Sequence, residues 1–275
     1  MLRVVHASHC PEIGPICNYR DEPPQLHDQT LRILQLQLGA TWGFTDELGL
    51  EVRAPLKLVD TGIVYRQLDG TPFVPDFQNI HHRDETLVGV VDPWVMGRGT
   101  FDVGGFQFRV GVGVSLPVGR TEPDPFLAGE RGEVHQHIQF GSGTVRPVGL
   151  VEVLRRVGPV DAAWYGQGQW SLDENGHGFR AGSAFATGLS GDVAITGALR
   201  GRLGLELLNE GAERWNGVVK QDGNLGRTDL LLGVGLSYPL GASTLRLTAR
   251  VPVWQHVVGG QLSYPALVES GVTTR

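Results

Sequence analysis

The chain has 275 residues but only 2 cysteines and 2 methionines, and aromatic residues make up just 8 % of it. No run approaches the ~18 apolar residues that a membrane-spanning helix requires. Any crossing of a bilayer would therefore have to use strands, because only helices and closed barrels satisfy their backbone in lipid. Positive charge is not in surplus: 23 Lys and Arg stand against 29 Asp and Glu, a net charge of −6. That balance argues against nucleic acid as a partner. There is no GxSxG, no HExxH and no phosphate-binding glycine loop. Ser115 and Ser237 have no convincing histidine at the same depth, so no catalytic residue and no enzyme is expected. Residues 1–5 lack the apolar core of a signal peptide, which fits a cytosolic protein or, as the strand pattern described below favours, a trimmed chain or a misplaced start.

Glycine, at 40 residues, is abundant, and it lies within a two-residue rhythm. Successive side chains on a strand point to opposite faces. In 34–44, Leu34, Leu36, Leu38, Ala40, Trp42 and Phe44 share one face, and Gln35, Gln37, Gly39, Thr41 and Gly43 share the other. The same division into an apolar and a wet wall recurs in 48–58, 106–116, 193–207, 230–240 and 245–253. Weaker strands are expected near 86–98, 145–157, 160–171, 179–189 and 261–272. With an N-terminal strand over 2–7 the count is twelve, ten being the fallback.

Connections alternate in length. Short turns are expected at 45–47, 99–103, 157–159, 189–192 and 239–242, and long loops at 59–85, 118–143, 171–178, 209–226 and 255–260. This alternation places every long loop at one end of an all-β, up-and-down antiparallel barrel, the pattern of transmembrane barrels with short periplasmic turns and long outer loops. Trp42, Phe44, Phe106, Phe108, Trp164 and Tyr238 fall at the short-turn end. Tyr65, Trp170, Phe179, Trp254 and Tyr264 fall near the long loops. Two aromatic belts around an aliphatic band mark membrane interfaces. A strand of about ten residues tilted by ~45° spans roughly 24 Å, the height of such a band. Residues 1–28 form an N-terminal strand and a Cys/His-containing loop, and 29–275 the rest of one barrel domain.

Four segments in order resemble the outer-membrane barrels named for the MetA pathway of phenol degradation. Residues 88–98 (VGVVDPWVMGR) resemble a "GxGDxxxxxR" strand, 113–119 (GVSLPVG) a "GxxLPTG" strand end, 141–144 (GSGT) the "GSGS" that follows, and 251–262 (VPVWQHVVGGQL) a "PVYQxVNGxQL" segment. The resemblance implies an outer-membrane transporter or channel, with aromatic or hydrophobic compounds as one class of solute. It carries no catalytic residues.

The wet walls hold Arg53, Lys57, Arg109, Arg200, Arg202, Arg246 and Arg250 against Glu51, Glu206 and Asp229. This bias predicts an Arg-lined lumen that leans toward anions; the competing expectation is a plug of paired charges. Nine histidines cluster at the long-loop rim. His6, His9, His81, His82, His135 and His137 are candidate ligands for Cu, Zn or Ni, although no spacing matches a known zinc pattern. Cys10 and Cys17 are disulfide candidates in an envelope protein, with a metal-ligand role beside His6 and His9 as the alternative. The partners expected are outer-membrane lipid and a small solute. Two other readings remain open: a non-conducting barrel whose outer loops bind a metal or a protein, and a soluble barrel with an internal ligand.

Overall fold

The computed structural model describes residues 2–7, 25–75, 80, 82–259 and 262–274. Its strands are β1 (Leu2–Ala7), β2 (Gln25–Gly43), β3 (Leu48–Gln67), β4 (Glu85–Val90), β5 (Trp94–Val103), β6 (Phe106–Ser115), β7 (Arg146–Val157), β8 (Val160–Gln169), β9 (Phe179–Arg180), β10 (Ala184–Thr196), β11 (Leu199–Glu210), β12 (Arg214–Trp215), β13 (Arg227–Leu240), β14 (Ser243–Val257) and β15 (Leu267–Thr274). One short helix, α1 (Pro125–Glu130), lies in the connection between β6 and β7. Asp124 caps it by accepting from the Phe126 and Leu127 amides. The small pair β9 and β12 joins two loops.

The main sheet is antiparallel throughout and follows chain order, with β4 and β5 both paired to β3. They occupy one strand position, so the path has twelve. Strands β1 and β15 bound the sheet, and an antiparallel bridge joins Arg3 of β1 to Ser263, just ahead of β15. The all-β, up-and-down expectation and its count of twelve agree with this order.

The break between β4 and β5 is a one-residue bulge. Leu56 pairs with Val90 and Arg53 with Trp94, so Ala54 and Pro55 face three residues, Val91, Asp92 and Pro93. Pro55 and Pro93 have no N–H to give to a ladder, and the extra residue is absorbed there. The bulge also inverts sidedness. Leu87 and Gly89 face inward before it, and Trp94, Met96 and Arg98 after it.

Turn positions differ from expectation at two places. Residues 99–103 and 189–192 lie inside β5 and β10, and the turns sit at 104–105 and 197–198. Gly104, Gly105 and Gly197 take positive φ there, which tight hairpins require and glycine supplies without steric cost. The long loops start later than expected on β3, which continues to Gln67.

The outer wall is apolar and exposed, as with Leu34 at 68 % and Val112 at 69 %. At the short-turn end Trp42, Phe44, Phe101, Trp164 and Tyr238 are exposed. At the other end Trp170, Phe185 and Trp254 are exposed, whereas Tyr65, Phe179 and Tyr264 are buried. Those three belong to the packing of the loops, so the second belt is thinner than the sequence indicates.

Candidate functional site

The interior differs between its two ends. Near the long loops the inward side chains Met96, Ser115, Val148 and Leu231 are fully buried. Toward the short turns Arg202 and Arg246 are exposed. Chain fills one half of the interior, and water reaches the other.

The filling comes from the connection 116–145. Phe140 packs with Val59 and Leu87, and Leu31, Val91 and Ile138 adjoin them. The Phe140 ring lies against Gly89, where an added Cβ would stand 2.6 Å from the ring. Asp92 holds the base of the connection. Its Oδ1 accepts from the Gly119 amide at 2.9 Å, and its Oδ2 from the Ser142 amide at 2.8 Å and the Ser142 hydroxyl at 2.7 Å. Arg146 lies 3.7 Å from the same carboxylate. Gly119 and Gly141 are back to back, so that a Cβ on Gly119 would stand 2.7 Å from the Gly141 Cα. Three of the four segments that carry the family resemblance, around Asp92, Gly119 and Ser142, thus meet at one carboxylate.

We expect Gly89→Ala to loosen this filling. Overpacking of a close contact costs about 1–3 kcal/mol. Trypsin should then cut at Arg131 at a lower dose than in the wild type, while the barrel keeps its heat-dependent gel mobility. Equal resistance in both proteins would show that Phe140 does not hold the loop.

Above this filling the loops interlock. Asn216 donates to Asp124 at 2.9 Å, the Gly217 amide to Glu174 at 2.7 Å and Asn175 to the Ser142 carbonyl at 3.1 Å. Trp215 packs with Phe179 and Phe126, and His137 meets Phe126 edge-on. His137 is open to water at the surface of this crowded cap. The protein packed around it, with His135 adding repulsion, lowers its pKa. Desolvation also pushes the Glu213 carboxyl up, against hydrogen bonds to Trp215 and Asn224 that hold it down. It raises Tyr264 to about 12 with help from the hydrogen bond to Asp229.

Below the filling runs a girdle of paired charges. Glu51 is ion-paired to Arg53 and lies 3.0 Å from Arg98, which also donates to Glu152 at 3.0 Å. Glu152 stands opposite Tyr165 in the β7–β8 ladder. Tyr165 donates to Glu206 at 2.6 Å, Arg250 to Glu206 at 2.9 and 3.1 Å, and Arg250 to Glu269 at 2.7 Å.

Three of these bonds pass over an intervening strand whose inward residue is glycine. Arg98 reaches β7 across Gly111, Tyr165 reaches β11 across Gly188, and Arg250 reaches β11 across Gly233. A Cβ at Gly188 would stand 2.7 Å from the Tyr165 ring. Glycines on the wet wall therefore clear space for the long side chains.

The remaining sequence candidates occupy the same inner wall. Arg202 makes a two-pronged bond to Asp192 at 2.8 and 3.0 Å, and Arg200 is bonded to Asp161. Arg109 donates to Gln107 at 2.8 Å. Lys57 on β3 stands opposite Gly89 in the β3–β4 ladder, at the level of the Phe140 filling. Lys57, Arg109 and Arg246 make no ion pair among the described residues. The acids Glu152, Asp161, Asp192 and Glu269, and Arg98 and Tyr165, were not legible as site residues. They lie on strands whose alternation is weak or whose register the bulge shifts.

The histidine candidates fall into separate places. His82 packs against His27, with ring centroids 4.8 Å apart, and is bonded to Gln29. His135 and His137 form another pair at 5.2 Å. His6 stands opposite His27 in the β1–β2 ladder. His9, His81, Cys10 and Cys17 lie outside the described residues. Among the described residues no group of three or more His, Cys, Asp or Glu is placed to hold a metal ion.

No protein-family model and no curated protein matches the chain. Among solved structures it is similar to the crystal structure of the COG4313 outer membrane channel from Pseudomonas putida F1. The TM-score is 0.56 over 90 % of this chain and 83 % of that one, at 12 % identity. That likeness supports the fold alone: an up-and-down antiparallel barrel sheet.

Proposed function

We propose that the chain is an outer-membrane channel for a small solute, with the 116–145 connection as its internal constriction and the short-turn half of the lumen as its wet vestibule. The observation that carries this reading is the girdle of charges on the inner wall of a barrel whose outer wall is apolar. Polar side chains enclosed by such a wall line a water-filled path in transmembrane barrels. The channel-type fold and the exposed aromatics at both ends support the same placement, with lipid around the barrel and long loops outside.

The vestibule leans toward anions. Most of its arginines are matched by acids, which leaves Arg109 and Arg246 as its cations without an ion pair among the described residues. Charges in a narrow passage are focused and select solutes by sign. In planar bilayers under a salt gradient, the reversal potential should show preference for the anion, and reversing the gradient should reverse its sign. Preference for the cation would overturn the anion reading, and absence of conductance the channel reading.

The filled outer half favours a second reading, a non-conducting barrel whose loops bind a transition metal or a protein partner. Copper or zinc binding by calorimetry, lost when the rim histidines are replaced by alanine, would favour it over the channel if conductance is also absent.

A further inference from the structure

Arg155 breaks the apolar character of the outer wall near its short-turn end. It lies on β7 three residues before the turn at 158–159, exposed on the same face as Val153 and Val157. Its guanidinium stands 4.3 Å over the Phe106 ring and makes no ion pair among the described residues. The next residue, Arg156, is held otherwise: it donates to the Gly158 carbonyl at 3.4 Å and lies 3.9 Å from Asp161.

Beside Arg155 the wall is hollow. Its neighbour across the β7–β8 ladder is Ala162, and the neighbour of Ala162 across the β8–β10 ladder is Gly191. One strand step toward the middle of the wall stand Trp164 and Leu189, the latter 62 % exposed. The Trp164 indole leans over Gly166, where a Cβ would be 3.3 Å away, and so leaves the hollow open. The resulting groove has a volume of about 730 Å³, with Phe106, Arg155, Val157, Ala162, Trp164 and Leu189 among its lining residues.

From this geometry we infer that the groove is a binding site for an anionic phospholipid of the short-turn leaflet, with the phosphate on Arg155 and the glycerol and upper acyl chains along Ala162 and Leu189. Charge complementarity selects this occupant. A guanidinium is always charged and offers a fork of donors that matches phosphate geometry. Its stem and the stacked ring lie on apolar surface while the head reaches the interface. Aromatic girdles place the polar–apolar boundary at this level, and Trp164 belongs to that girdle. The opposite side of the groove, around Leu189 and Ser190, is uncharged, which suits acyl chain.

The site rests on the reading of the chain as a membrane barrel, and the test separates the two. The full chain is reconstituted in nanodiscs of phosphatidylethanolamine with a minor fraction of phosphatidylglycerol. It is then released into mild detergent and weighed by native mass spectrometry. The wild type should retain a phosphatidylglycerol adduct. Arg155→Ala should lose it several-fold, Arg155→Lys should keep part of it, and Ala162→Phe, which fills the groove but leaves the arginine, should lose it as well. Equal retention by the wild type, Arg155→Ala and Ala162→Phe overturns the site while the barrel reading stands. A wild-type chain that stays soluble without detergent and does not enter the bilayer overturns both.

Discussion

Excising residues 121–139 and closing the gap with two glycines should raise single-channel conductance several-fold and leave the barrel folded. The connection is already pinched where the cut would fall. The Phe140 and Gly141 amides both donate to the Arg120 carbonyl at 3.0 Å, and Gly119 and Gly141 touch backbone to backbone. A two-residue link therefore spans the ends without strain, and Asp92 keeps the Gly119 and Ser142 bonds that fix the neck. What leaves is α1, the His135–His137 pair and Ile138, together with the contacts of Phe126 to the Trp215 cluster. The measurement is planar-bilayer conductance, with heat-dependent gel mobility as the check on folding. Conductance equal to the wild type would mean that the solute path avoids this connection.

A milder version of the same experiment is Asp92→Ala. It leaves the Gly119 and Ser142 amides without their acceptor in a buried place, at a cost of about 1–3 kcal/mol for each group left unsatisfied, while the Ser142 hydroxyl keeps the Thr144 carbonyl at 2.9 Å. The neck should open part of the time, so that the current flickers between the wild-type level and a higher one. A steady wild-type current would show that Asp92 does not set the position of the loop.

The alternation of apolar and polar residues was enough to number the strands and to sort Arg53, Arg202, Glu206 and Arg250 onto the inner wall. A period of two reports which face a residue takes. It does not report which residue stands beside it, because that depends on register, and register depends on turns and bulges. Arg98 illustrates the difference. The bulge at Val91–Asp92–Pro93 changes the parity of its strand, so its inward direction could not be read from the residues before it. Glu152, Asp161 and Asp192 lie on strands where Gly, Ala and Arg interrupt the apolar face. Hence the arginine excess was visible in the sequence and much of its neutralisation was not. The histidines were legible as a rim. Their separation into pairs follows from which loops turn inward, a tertiary matter that spacing alone does not encode. Asp92 was visible within the motif of residues 88–98, but its role became clear only when Gly119 and Ser142 were seen on the same carboxylate.

Glu206→Ala should have a large effect for a single substitution on the inner wall. Glu206 accepts from Tyr165 and twice from Arg250, and it is the link between the β8 and β14 sides of the girdle. Its removal leaves Arg250 with Glu269, whose side chain is 68 % exposed. Breaking a buried pair by deleting one partner costs about 3–5 kcal/mol. Water reaches this pair, with side-chain exposures of 15 % and 25 %, so about 2–3 kcal/mol is expected after screening. The lumen also gains one positive charge, which should move the reversal potential further toward the anion. Arg250→Ala should move it the other way at a similar loss of stability. The double variant restores the balance of charge and removes the uncompensated partner, so it should be less destabilised than the sum of the two single variants. Unfolding in detergent and reversal potentials on the four proteins form a double-mutant cycle. If the stability losses add without coupling, the pair does not hold the two sides together. If the reversal potential does not respond to either single change, ions do not pass this girdle at all.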